Sequence, residues 1–257
     1  IAIFSNKTGT MSLYLISAED GRFLRRIIKG ERSADFEELH ILKPGITWSP
    51  NGEKIAFAAK SGKSDALIVV DIITEKIDKY RFEMEGIFRA SWNPINNEIA
   101  FIGNNGITSD IYVFNLETEQ LENLTNDWFS DDQVSWSADG KSLLFISDRG
   151  KYINQQRPEN IYKHNIDQLD IYNISRFDRN IKRLTNTPFY ESYPLYTSDS
   201  KKIIFISDEY GISNINIMDL ESMQTIIRTN VITGISQLSW NQTNSHLLFS
   251  GFEKSGY

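Results

Sequence analysis

Short apolar runs rich in Ile, Val, Phe and Tyr alternate along the chain with clusters of Gly, Asn, Asp, Ser and Pro, a strand-and-turn pattern. The pattern repeats. The phrases W-S-P-N-G-E-K-I-A-F from Trp48, W-N-P-I-N-N-E-I-A-F from Trp92, W-S-A-D-G-K-S-L-L-F from Trp136, Y-T-S-D-S-K-K-I-I-F from Tyr196 and W-N-Q-T-N-S-H-L-L-F from Trp240 are spaced 44, 44, 60 and 44 residues apart. Each repeat predicts four strands. The aromatic closes a first short run, and a second follows a polar turn, as at Ile55 to Ala58 and Leu143 to Ile146. A third opens at Asp65, Asp110, Asp170 and Asn214, and a fourth ends in L-T-N at Leu124 and Leu184. No segment sustains an amphipathic helical period, so almost no helix is expected. A period of this length with four strands per unit is the signature of propeller blades.

The expected fold is all-β: a six-bladed propeller of four-stranded antiparallel blades with an incomplete first and last blade. The repeats fall near 1–46, 47–90, 91–134, 135–194, 195–238 and 239–257, in one domain. I-A-I-F at 1–4 matches a second strand, and the last repeat supplies only two strands, so the chain reads as a window of a longer polypeptide.

Most recurring residues have architectural readings. The repeated aromatic would fill the space between neighbouring blades, burying about 150–250 Å², and Trp92→Ala is expected to cost roughly 3–5 kcal/mol. Asn51-Gly52, Asn96-Asn97 and Asp139-Gly140 occupy turns where positive φ is expected. The Asp opening the third strand reads as a turn cap rather than a metal ligand.

The formal charge of −7 argues against a duplex nucleic-acid surface, which needs a basic stripe to neutralise phosphates. There is no transmembrane run, so no direct membrane insertion is expected. The absence of cysteine is compatible with an oxidising compartment without requiring one.

The phrase W-S-P-N-G-E-K-I-A-F at 48–57, followed by S-D-I-Y-V at 109–113 and L-T-N at 124–126, resembles the repeat of the TolB-like β-propellers. The third strands do not end in Trp-Asp, so WD repeats are a poorer match. The TolB-like resemblance implies a six-bladed, non-enzymatic, monomeric propeller of the bacterial periplasm that binds protein partners at the cell envelope. It implies fold more strongly than function, because similar propellers are attached to serine peptidases.

Two departures from the repeat mark a face. Phe145 and Asp170 are 25 positions apart, against 8 from Phe57 to Asp65 and 9 from Phe101 to Asp110. About 16 residues are therefore inserted within 151–169 between the second and third strands. The other long segment, 30–45, joins one blade to the next. In an up-and-down blade both connection types emerge on one face of the disc, which is then the expected partner-binding face.

Other blade-to-blade connections on that face, at 82–90, 126–133 and 186–194, place aromatics beside carboxylates, a chemistry suited to peptides, basic side chains or sugars. The candidate partner-binding residues are Phe36, Glu37, Trp128, Phe129, Asp131, Asp132, Tyr152, Arg157, Tyr162, Phe189, Tyr190 and Glu191. Phe88, Phe129 and Tyr190 equally fit places between blades, and Asp131, Asp132 and Glu191 read as solvated turn residues rather than ligands.

No G-x-S-x-G, G-x-G-x-x-G, P-loop or H-E-x-x-H occurs. His40, His164 and His246 fall in different repeats, and His246 reads as exposed rather than metal-binding; no catalytic residue, metal or cofactor is expected. Adjacent carboxylates such as Glu37-Glu38 and Asp131-Asp132 would point apart in an extended chain. The expectation is a non-enzymatic module binding a protein or peptide, with a peptidase-gating propeller and a carbohydrate-binding propeller as the alternatives.

Overall fold

A computed structural model describes residues 1–30, 38–39, 45–241 and 246–251. Among the described residues the strands form six consecutive antiparallel sheets, an all-β propeller. Blade A holds β1 (Ala2–Ser5), β2 (Ser12–Ile16) and β3 (Phe23–Ile28). Blade B holds β4 (Glu38–Leu39), β5 (Thr47–Trp48), β6 (Lys54–Ser61), β7 (Ser64–Asp71) and β8 (Ile77–Tyr80). Blade C follows with β9 (Gly86–Trp92), β10 (Glu98–Asn104), β11 (Ser109–Asn115) and β12 (Leu121–Asn123). Blade D contains β13 (Asp131–Trp136), β14 (Ser142–Ser147), β15 (Asp170–Ser175) and β16 (Ile181–Arg183). Blade E contains β17 (Glu191–Tyr196), β18 (Lys202–Ser207), β19 (Asn214–Asp219) and β20 (Thr225–Ile227), and blade F contains β21 (Ile235–Asn241) and β22 (His246–Gly251). Among the described residues the first sheet thus has three strands and the last two, the expected incomplete end blades.

Sequential strands pair within each blade, except that β4 and β5 of blade B both pair with β6. The second strands read as continuous apolar runs rather than alternating ones because neighbouring blades cover both their faces. In β14 every residue from Leu143 to Ser147 is buried. Hydrophobic clusters accordingly straddle blade boundaries. Trp92 packs with Ala58, Leu67 and Phe101 between blades B and C, Trp136 with Ala100, Val113 and Phe145 between C and D, and Tyr196 with Leu144, Ile171 and Phe205 between D and E. The indole of Trp136 also donates from Nε1 to the Ser91 carbonyl across its boundary, at 3.0 Å. Trp48 and Trp240, beside the incomplete blades, are only half-buried.

The first turn of blades B, C, D and E is built by side chains as much as by backbone conformation. The side-chain oxygens of Asn51, Asn96, Asp139 and Asp199 each accept from the backbone N–H two residues on. Positive φ is found at Gly52 and Gly140 but not at Asn96 or Asn97, where this side-chain bond suffices. At Gly140 the requirement is double: φ is +67°, and a Cβ would sit 2.4 Å from Asn93 Oδ1 of blade C.

Two expectations about connections are corrected. The segment 82–90 is not a loop throughout, because β9 begins at Gly86 and carries Phe88 in the ladder opposite Ile102. The expected long connection at 30–45 contains β4, paired through Glu38 with Lys60 and through Leu39 with Ala59; its remaining residues, other than Gly30 and Gly45, lie outside the described ones. Among the described residues the one helical element is a single 3₁₀ turn, Ile161–Lys163.

Candidate functional site

The innermost strands of blades C, D and E share one irregularity. The ladders β9–β10, β13–β14 and β17–β18 each slip register near the start of the inner strand. Arg89, Gln133 and Tyr193 sit at these bulges with φ of 57°, 58° and 52°. A bulge re-aims one side chain and sharpens the local twist. Arg89 donates from Nε to Asp132 Oδ1 at 3.3 Å and from Nη1 to the Tyr193 hydroxyl at 3.0 Å, while the Tyr193 N–H donates to Gln133 Oε1. A contact from blade C to blade E passes over blade D, so these groups meet across the central axis.

Tyr190 belongs to the same cluster. Burial raises its phenol pKa, with the nearby Asp132 adding to the shift and Arg89 opposing it, yet half of the residue remains in solvent. Its backbone N–H donates to Asp208 Oδ1 at 2.8 Å. The mouth of the channel therefore combines tyrosine rings, two carboxylates and one guanidinium.

Polar side chains at fixed repeat positions hold the connections that frame this mouth. Asp65 accepts from the Ile87 N–H of the next blade. Asp110 accepts from Asn123, Thr125 and the Asp127 N–H, and Asn214 from Thr229 and the Val231 N–H. Asp170 pairs with Arg183 at 2.6 Å. These residues tie the blade-to-blade connections to the third strands, the capping role expected for them.

A second polar layer lies under the insertion. Arg149 is fully buried and donates to Asp127 Oδ2 at 3.0 Å and to Asp131 Oδ1 at 2.8 Å, with its guanidinium stacked near the rings of Phe129, Phe145 and Tyr172. Burial pushes Asp127 up to about 7 despite Arg149 and raises Asp110 and Asp148 as well. The insertion covers this layer. His164 inserts between Trp128, Phe129 and Tyr152, and its Nε2 lies 3.4 Å from Asp148 Oδ2.

The structure separates the candidate residues into three groups. Tyr162 and Arg157 are exposed, Asp132 and Tyr190 sit at the channel mouth, and Phe189 is half-buried. Trp128 and Tyr152 are half-buried inside the aromatic cluster that carries the insertion. Phe129, Asp131 and Glu191 are withdrawn from the surface. Phe129 packs over Arg149, Asp131 is its ion-pair partner, and Glu191 accepts from Thr187 with its other oxygen buried and unpartnered. Asp131 and Glu191 are strand residues rather than turn residues. Asp131 and Asp132 do point apart, one into the core and one to the axis. Phe36, Glu37 and His40 lie outside the described residues.

Sequence reading missed Arg89, Gln133 and Tyr193, whose register slips leave no mark in the apolar pattern. It also missed Arg149 and the burial of His164. The parallel phrases F-I-S-D-R at 145–149 and F-I-S-D-E at 205–209 contained a usable signal, since Asp148 and Asp208 accept from the Ser130 and Tyr190 N–H groups in the same way. Among the described residues no group of three or more His, Cys, Asp or Glu side chains has metal-holding geometry.

A cleft of about 430 Å³ between blades C and D, on the opposite face, is lined by Glu98, Asn115, Gln120, Glu122 and Arg176. The equivalent groove recurs in blade E around Lys202, Asp219 and Gln224, so it is a feature of blade geometry.

Residues 37–167 match the family model described as the TolB beta propeller domain, about half of the chain. The chain belongs to the TolB β-propeller domain family. Among solved structures it is similar to TolB from Acinetobacter baumannii, at 20% identity and a TM-score of 0.66, over 94% of this chain and 57% of that one. It is also similar to a protein of Agrobacterium tumefaciens described as a TolB, at 18% identity and a TM-score of 0.69, covering 98% and 77% of the two chains. A prolyl endopeptidase matches at 14% identity and a TM-score of 0.57, over 93% of this chain but 36% of its own length. The chain matches no curated protein. At these identities the structural likenesses show the propeller fold alone. No helix among the described residues is long and apolar enough to cross a membrane.

Proposed function

We propose that this TolB-family propeller is a non-enzymatic binding module of the bacterial cell envelope, acting in the periplasm and capturing a protein or peptide partner on the face that carries the 151–169 insertion. The observation that supports the reading is the distribution of exposed apolar side chains. Ile107, Tyr162, Ile166, Tyr210 and Ile232 lie on connections of that one face, beside the channel-mouth cluster of Tyr190 and Asp132. Exposed aromatic and aliphatic side chains around a polar centre favour protein recognition. The carboxylates of Asp132 and Asp208 favour a partner that presents a basic side chain there.

Photo-crosslinkable residues at Tyr162 and Tyr210, compared with Ile73 and Phe177 on the opposite face, test this in envelope extracts of the source cells. Adducts to one partner from the first pair alone support the reading; adducts confined to the second pair overturn it. The likeness to a prolyl endopeptidase favours a second reading, a propeller that filters substrate for a peptidase. The intact mass of the native protein, and a serine-directed probe applied to it, separate the two.

A further inference from the structure

The insertion is fixed to the blades at four places. The Tyr172 hydroxyl donates to the Gly150 carbonyl at 2.8 Å, the Trp128 N–H to the Gln156 carbonyl at 2.8 Å, and Gln168 Nε2 to the Thr187 carbonyl at 2.7 Å. The fourth attachment is His164. Its side chain is 4% exposed, and it stands over the most acidic part of the interior.

We propose that His164 and Asp148 form a proton-operated latch that holds the 150–169 strap on blade D, tightening as the pH falls and loosening as it rises. The latch is a property of the fold and stands whether or not a partner docks.

The charge balance around the pair supplies the driving force. Beneath the strap lie Asp148 and Arg149 after β14, Asp127 and Asp131 before and at the start of β13, and Asp110 of β11, with the Tyr172 hydroxyl of β15 beside them. Four carboxylates thus face the single guanidinium of Arg149. On the strap itself Lys163 is exposed, and Lys151 is an exposed cation over the Tyr152 ring at 5.3 Å, so neither reaches into the layer. Asp131 Oδ2 and His164 Nε2 are buried without a well-aligned hydrogen-bond partner. A proton held between Asp148 Oδ2 and His164 Nε2 turns their 3.4 Å contact into a hydrogen bond beneath a box of aromatic rings whose centroids lie 5.2, 5.5 and 6.2 Å from the imidazole. Loss of that proton leaves the Asp148 carboxylate with the Ser130 N–H as its partner under the strap.

The signs agree. Burial raises Asp148 and Asp127, the latter to about 7, so the closed strap binds protons more tightly than the open one, in which water reaches these groups. That contribution to closure is complete below the ordinary carboxylate range, about pH 4, and is lost as the pH rises through the raised values.

Hydrogen–deuterium exchange of peptides spanning 150–169 at pH 5.5 and 8.5, corrected for intrinsic rates, tests the latch, with the β10 peptide as reference. The strap's protection should fall by about tenfold or more across this interval, while β10 stays constant. Asp148→Asn keeps an acceptor for the Ser130 N–H and should flatten the dependence of strap protection on pH, leaving the share that Asp127 carries. His164→Gln should lower it at the acidic end. A wild-type strap whose protection is constant with pH, or an Asp148→Asn or His164→Gln protein that keeps the full wild-type slope, would overturn the proposal. Circular dichroism establishes that each variant is folded, and if one is not, the other decides.

Discussion

Arg149 Nη2 donates to Asp131 Oδ1 at 2.8 Å, and neither side chain retains any solvent exposure. The pair joins the end of one strand to the start of its neighbour directly beneath the insertion. Removing the guanidinium by Arg149→Ala would leave two carboxylates without compensation, and unfolding free energy should drop by roughly 3–5 kcal/mol. A urea titration measures it. The double variant Arg149→Met with Asp131→Asn should cost less than the two single changes together, because Asp127 is then the one carboxyl of the pair left without the guanidinium.

Trp92 and Trp240 occupy the same repeat position with different surroundings, the first buried between two complete blades and the second half-buried beside an incomplete one. Trp92→Ala should cost about 3–5 kcal/mol through cavity formation. Trp240→Ala should cost about 1–2 kcal/mol, since part of the ring already faces water. Equal losses in denaturant titrations would contradict the assignment of Trp92 as an inter-blade plug.

Glu191 is buried with one unpartnered oxygen, and burial lifts its pKa to about 7. Its folded-state value lies above the unfolded one, so its contribution to stability is full below about pH 4 and is lost as the pH rises through 7. The loss is at most about 4 kcal/mol. Glu191→Gln should flatten the fall in stability between pH 5 and 8. An unchanged pH profile would mean that the carboxyl is hydrated in solution.

Tyr162 projects from the 3₁₀ turn almost entirely into solvent. Tyr162→Ala should therefore alter stability by less than about 0.5 kcal/mol. If the insertion face meets the partner, the same change should weaken capture at least several-fold; unaltered capture would remove Tyr162 from the contact surface.

The repeat of Trp48, Trp92, Trp136, Tyr196 and Trp240, and the apolar runs between them, determined the all-β propeller, its antiparallel blades, the inter-blade place of the aromatics and the position of the insertion. Those features follow from local rules: a strand buried on both faces needs a continuous apolar run, and each turn needs its own side chains. Only the tertiary structure decided which polar residues are exposed. Asp131 and Asp132 are adjacent and chemically identical, yet one neutralises Arg149 in the core and the other meets Arg89 at the axis. The bulges at Arg89, Gln133 and Tyr193 likewise bring blades C, D and E together across distances of 44 to 104 residues in the chain, and His164 to Asp148 from within an insertion that has no repeat to predict it. Such contacts depend on how blades stack around an axis, and the linear pattern of apolar and polar positions carries no record of that packing.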